Sequence, residues 1–132
     1  MNILIKEGRV LDTASKTDKV MDVLIKDGFI AAMEENIDES QADEVIDASG
    51  CMVMPGLVDL NAHFREPGLE HKETIRTGSR AAARGGYTTV CMMPNTKPVI
   101  DNVDMLQYVT DKAEEVTDIN LYTIAAMTAG QE

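Results

Sequence analysis

Residues 59–68 read Asp-Leu-Asn-Ala-His-Phe-Arg-Glu-Pro-Gly, and five of the ten carry groups that do chemistry: Asp59, Asn61, His63, Arg65 and Glu66. An imidazole can ligate a metal or move a proton. A guanidinium presents a planar fork that matches the two oxygens of a carboxylate. Side chains alternate faces along an extended segment, so Asn61, His63 and Arg65 share one face if the extended run continues that far. Two further polar clusters follow later apolar runs: Pro94-Asn95-Thr96, and Thr128 to Glu132. Asn95 could donate to a ligand. Each residue also has a plainer reading. A lone histidine is more often structural or at the surface. Arg65 can pair locally with Glu66 or Glu70, and an asparagine in a turn usually bonds its own backbone. His71 is expected in solvent.

The elements that would position these groups fall into two regions. Residues 1–54 read as a small β-sandwich-like domain. The stretches NILIKEGRVLD and VMDVLIKDGFIAAM each hold two short apolar runs split at a glycine. Asp27-Gly28 is a strong hairpin signal, because type I′ turns need positive φ, and Glu7-Gly8 is a weaker one. Three or four antiparallel pieces are expected. At Pro55 the pattern changes, and residues 55–132 alternate strand and helix. GLVDL is a near-continuous apolar run, as in a strand covered on both faces. Glu70 to Arg84 is predicted to be helical and to end at Gly85-Gly86. YTTVCMM is the next strand. A second helix should start near Asp101, whose carboxylate can cap it. Met105, Leu106, Val109, Ala113 and Val116 form its apolar stripe at helical spacing. INLYTIAAM is the third strand. This order predicts a parallel βαβαβ unit with right-handed crossovers. Ligands in such α/β folds bind beyond the carboxyl ends of the strands, where the three polar clusters fall.

Composition excludes several classes of partner. The chain has 132 residues, with 23 acidic against 12 basic and a formal net charge of −11. Nucleic-acid backbones and anionic membrane surfaces both require a basic face. No stretch approaches the roughly 20 apolar residues of a membrane helix, and the opening MNILIKEGRVLD has no signal-peptide apolar region. The two cysteines, Cys51 and Cys91, have no metal-binding spacing and are expected as small core hydrophobes. The nine methionines read as core filler. A cytoplasmic location is expected.

The motifs PGLVD at 55–59, HFREPG at 63–68 and EHKETIRTGSRAAARGGYTTVCMMPNTKP at 70–98 resemble the N-terminal part of bacterial dihydroorotases. The likeness is specific over residues 55–98 and weaker over 1–54 and 101–128. REPG together with MPNTKP separates that family from hydantoinases and allantoinases, which share the GG-x-TT element. The resemblance implies an amidohydrolase: a metal-dependent (β/α)8 barrel beside a small β-domain, interconverting N-carbamoyl-aspartate and dihydroorotate in pyrimidine synthesis. It implies zinc, which activates water and polarises the carbonyl. Carried over, His63 is the second histidine of a metal-binding His-x-His pair and faces the substrate. Arg65 clamps the substrate carboxylate, with Asn95 as its partner. Asn61 stands where the family has the first metal histidine. An amide oxygen is a weak, neutral ligand for a metal that favours imidazole or thiolate, so poor zinc binding is expected.

A whole barrel needs about 250 residues. This chain is therefore expected to be an incomplete barrel with no catalytic residue of its own, inactive alone. Its open sheet edges invite pairing with other chains, so the isolated polypeptide is expected to self-associate, as in a homodimer, to swap elements, or to occur only as part of a larger chain. Two alternatives follow from the resemblance: a non-catalytic scaffold for aspartate carbamoyltransferase, or a hydantoinase or allantoinase-type enzyme.

Overall fold

The computed structural model describes residues 1–131, and the chain divides into two compact units, Met1–Pro55 and Gly56–Glu132. The first unit is one five-stranded sheet. Its strands are β1 (Ile3–Asp12), β2 (Thr17–Lys26), β3 (Phe29–Glu34), β4 (Glu44–Asp47) and β5 (Met52–Val53). β1, β2 and β3 pair antiparallel in sequence order, closed between β2 and β3 by Asp27 and Gly28 at φ 51° and 81°. β4 and β5 run parallel to β1, which corrects the expectation of antiparallel pieces throughout. Leu4, Leu24 and Ile37 form one buried cluster, and Val10, Met21 and Val23 another.

Glu7-Gly8 is not a turn. β1 runs through it with a bulge, the register shifting between Ile5 and Gly8 and Glu7 adopting φ 59°. A bulge leaves a backbone N–H outside the ladder, and a buried N–H needs a partner. Asp22 supplies it. Its carboxylate, 1 % exposed, accepts the N–H of Glu7 at 2.9 Å and that of Ile37 at 3.0 Å. The reversal comes instead at residues 13–16, where Asp12 accepts the N–H groups of Ala14 and Ser15. Cys51 is exposed, against expectation, while Cys91 is half-buried.

The second unit holds β6 (Leu57–Ala62), α1 (Ile75–Arg84), β7 (Tyr87–Met92), α2 (Val103–Val116) and β8 (Asn120–Thr123). Its three strands lie in the order β6-β7-β8 and all run parallel, as the strand–helix alternation predicts. The core is Phe64, Ile75, Val90, Met92, Ile100, Val109, Ala113 and Val116, with Met105 and Leu106 packed against it. No helix is long and apolar enough to cross a membrane among the described residues.

Both helix starts differ from expectation. α1 begins at Ile75 rather than Glu70 because Thr74 caps it. The Thr74 hydroxyl accepts the N–H of Thr77, and the Thr77 hydroxyl accepts the N–H of Thr74, a reciprocal capping box. The Glu66 carboxylate accepts the N–H of Ile75 at 2.8 Å, adding a negative charge where the helix dipole is positive. α2 is capped by Asn102, whose side chain accepts from Met105.

Asp101 is committed elsewhere. Its carboxylate accepts the N–H of Gly130 at 2.7 Å and the amide of Asn102 at 2.9 Å. These bonds, that from Gly130 first, hold its pKa below the ordinary aspartate value. A depressed carboxylate pKa contributes stability above the unfolded value and loses it as pH falls through the folded one. The Gly130 amide should therefore stay protected from hydrogen exchange above the ordinary aspartate range and lose protection below it. In Asp101→Ala no such acid-linked change is expected.

Candidate active site

β6 and β7 are parallel neighbours, so their carboxyl ends lie side by side. The pairing runs on past the end of β7, with the N–H of Met93 donating to the carbonyl of Ala62, the last residue of β6, at 2.9 Å. One residue beyond Ala62 the His63 side chain reaches across, and its Nδ1 lies 3.0 Å from Oδ1 of Asn95. Two of the polar clusters thus meet at one contact. Both residues are exposed.

Arg65 departs from the expected arrangement. The extended run stops at Ala62. Phe64 turns into the core against Gly78, and Arg65 adopts φ 62° in the left-handed region. The N–H of Glu66 then donates to Phe64 at 2.7 Å and that of Leu69 to Arg65 at 3.1 Å. Strand alternation therefore does not carry to Arg65, and the common face predicted for Asn61, His63 and Arg65 does not extend to it. Arg65 as a whole is half-buried.

Asn61 and His63 do share a setting. Both line an open cleft of about 440 Å³ with Asp59, Phe64, Glu73 and one side of α1. Arg65 and Asn95 are not among its lining residues. Asp59 accepts the backbone N–H of Asn61 at 2.8 Å, where the β6–β7 register is irregular. His71 is exposed, as expected.

The loops after β6 and β7 are fastened to each other. The N–H of Lys97 donates to the carbonyl of Pro67 at 2.9 Å. Gly68, at φ +87°, packs so closely that a Cβ there would lie 1.7 Å from the Lys97 carbonyl oxygen. Thr96, 6 % exposed, donates its hydroxyl to the carbonyl of Pro98 at 2.7 Å. Gly68 also donates its N–H to Glu70, which with the backbone N–H of Glu70 itself and the nearby His71 keeps that carboxyl below its ordinary pKa. In the third cluster, Gly130 is held by Asp101, while Glu132 lies outside the described residues.

The donor set can be tested against a metal. Zinc sites are built from three or four imidazole, thiolate or carboxylate ligands. Among the described residues no three His, Cys, Asp or Glu side chains are grouped to hold an ion. Near the cleft stands one imidazole, one of whose nitrogens already has a partner in Asn95, and a neutral amide at Asn61. These residues do not make a zinc site by themselves.

Sequence reasoning did not single out Glu73, and it noted Asp59 and Glu66 without giving either a role in the site. Asp59 and Glu73 line the cleft, and Glu66 anchors α1. Asp59 had a signal, since it precedes Asn61 by the same two-residue step that separates Asn61 from His63. The bond from Glu66 to the start of α1 had no local signal, because its partner lies across a turn.

Residues 50–132 match the profile of a family described as dihydro-orotase-like. A dihydroorotase from Solibacter usitatus is 50 % identical over 130 residues, covering 98 % of this chain and 30 % of the relative. One from Pelobacter propionicus is 45 % identical over 132 residues, covering the whole chain and 31 % of the relative. The chain thus spans about a third of the length of these relatives. Among solved structures, an L-hydantoinase (dihydropyrimidinase) from Arthrobacter aurescens superposes with a TM-score of 0.85 at 29 % identity, covering 97 % of this chain and 28 % of that one. The expected fold class holds: α/β, the βαβαβ start of a (β/α)8-type barrel preceded by a mainly-β unit.

Proposed function

We propose a function from one premise: the chain belongs to the dihydro-orotase-like family. The protein to which this sequence contributes is a cyclic amidohydrolase that interconverts dihydroorotate and N-carbamoyl-aspartate. Water adds across the ring amide, the C–N bond breaks, and a carboxylate and a ureido N–H are formed. The observation that carries the reading is the His63–Asn95 contact, which joins the ends of two adjacent parallel strands, where α/β enzymes bind ligands. Arg65, in the turn after His63, supplies the cation for the substrate carboxylate. Asn95 supplies neutral donors. His63 contributes the ring nitrogen that Asn95 does not use.

Identity favours dihydroorotate over other cyclic amides. The dihydroorotases are 45–50 % identical to this chain, against 29 % for the L-hydantoinase. Zinc, implied by the family, would need its other ligands from outside the described residues. The lack of a second imidazole at position 61 favours one other reading, a non-catalytic homologue that serves as a scaffold for aspartate carbamoyltransferase.

A graft separates these readings. This chain replaces the corresponding N-terminal segment of the Solibacter usitatus relative, and hydrolysis of dihydroorotate and of hydantoin is followed with added zinc. The expected result is turnover of dihydroorotate well above that of hydantoin. Faster hydantoin hydrolysis would overturn the substrate class. A folded chimera inactive on both, with dihydroorotate turnover appearing only in Asn61→His, would favour the scaffold.

A further inference from the structure

An asparagine in a turn ordinarily bonds its own backbone, yet the oxygen of Asn95 is used on a ring from another loop, at 3.0 Å from Nδ1 of His63. We propose that Asn95 is a positioning residue. Its carboxamide oxygen accepts the Nδ1–H of His63, fixing the tautomer in which Nε2 keeps its lone pair for the chemistry of the site.

A neutral imidazole carries one ring proton, and the hydrogen bond made by one nitrogen decides which nitrogen holds it. A carboxamide can offer either an acceptor or a donor, and the two orientations select opposite tautomers. With the oxygen toward the ring, Nδ1 must be the protonated nitrogen. Nε2 is then a base or a ligand, and both N–H donors of the Asn95 amide stay available to an anion. With the amide reversed, Nε2 would carry the proton and could neither ligate nor accept.

The contact is also held from both sides. Met93 is bonded to Ala62, which sets the two strand ends in register. On the other flank, Thr96 is buried, donates its N–H to Pro94 at 2.8 Å and its hydroxyl to Pro98 at 2.7 Å. The N–H of Ile100, fully buried, donates to Pro94 at 3.3 Å. Asn95 therefore sits between anchored neighbours, so its amide can act on the ring from a fixed place. This inference deepens the function proposed above, since it takes His63 to serve that site. Its test reads the ring directly and can fail while dihydroorotate hydrolysis stands.

The chain has two histidines, so a sample labelled with 15N-histidine gives two rings to assign. Long-range 1H–15N correlation is run on the 132-residue chain at alkaline pH. His63 is expected as the Nδ1–H form, and exposed His71 mainly as the Nε2–H form that an unconstrained histidine prefers. Asn95→Ala should move His63 to the pattern of His71. Asn95→Asp, which keeps an acceptor, should retain Nδ1–H. Asn95→Leu, close to asparagine in volume, replaces the alanine variant if that one disturbs the backbone amide fingerprint. An Nε2–H form at His63 in the unaltered chain would overturn the proposal. So would an Nδ1–H form that persists in both the alanine and leucine variants.

Discussion

Replacing Asn61 with histidine should raise zinc affinity in the Solibacter usitatus chimera by roughly 10–100-fold or more, the cost attached to losing even a residue that only supports a metal ligand. Isothermal titration at neutral pH gives the number. The physical basis is the donor atom. An amide oxygen is neutral and hard, while an imidazole nitrogen is a ligand of choice for zinc. The position suits the exchange. Asn61 is exposed and lines the same cleft as His63. Its backbone N–H is fixed by Asp59 at 2.8 Å, so a new ring there starts from an anchored backbone. Dihydroorotate turnover at limiting zinc should rise in parallel. In the 132-residue chain itself, no stoichiometric zinc binding is expected, since its described residues bring no three ligating side chains together. Tight stoichiometric zinc on the unaltered chain, lost in Asn61→Ala, would mean that the amide is a competent ligand.

The order of elements in the second unit was readable because it rests on local features. The runs GLVDL, YTTVCMM and INLYTIAAM became the parallel strands Leu57–Ala62, Tyr87–Met92 and Asn120–Thr123, the last ending before Ile124, and the stripe from Met105 to Val116 became the inner face of α2. The errors share a cause, which is that contacts distant in sequence decide between locally similar options. Residues 70–74 carry nothing that forbids a helix, yet the capping box at Thr74 and Thr77 and the carboxylate of Glu66 start it at Ile75. Glu7-Gly8 has the composition of a turn, and it became a bulge whose N–H is met by Asp22 in the next strand. β4 and β5 became parallel partners of β1, which no local window reveals. At the site, alternation was a sound guide to Asn61 and His63 and failed at Arg65, where φ turns positive. Asn95 was legible as a candidate donor from its polar cluster, while its partnership with Arg65 came from the resemblance alone. Its contact with His63 depends on strand register, which residue types do not specify.

Gly68→Ala should destabilise the Gly56–Glu132 unit by on the order of 2–4 kcal/mol, the sum of left-handed backbone strain and a forced shift of a neighbouring loop. The strain part is set by φ +87°, where a Cβ costs about 1–2 kcal/mol. The remainder comes from the Lys97 carbonyl oxygen, 1.7 Å from where that Cβ would stand. A backbone atom cannot swing aside as a side-chain tip can, so one of the two loops must move. Gly86 provides the control. It has φ +83° with nothing within 4 Å of a Cβ, so Gly86→Ala should show the strain part alone. The readout is confined to the right unit, because Tyr87, Tyr108 and Tyr122 are the only tyrosines and the chain has no tryptophan. Urea unfolding followed by tyrosine fluorescence should place Gly68→Ala below Gly86→Ala. The functional consequence follows from the same displacement. Residues 65–68 and 95–98 are held together where Gly68 meets Lys97 and where Lys97 bonds Pro67. Separating them moves Asn95 away from His63, so the ring should lose its Nδ1–H preference in Gly68→Ala and keep it in Gly86→Ala. Equal stability for the two variants, with the His63 tautomer unchanged, would show that the loops are not braced through this glycine.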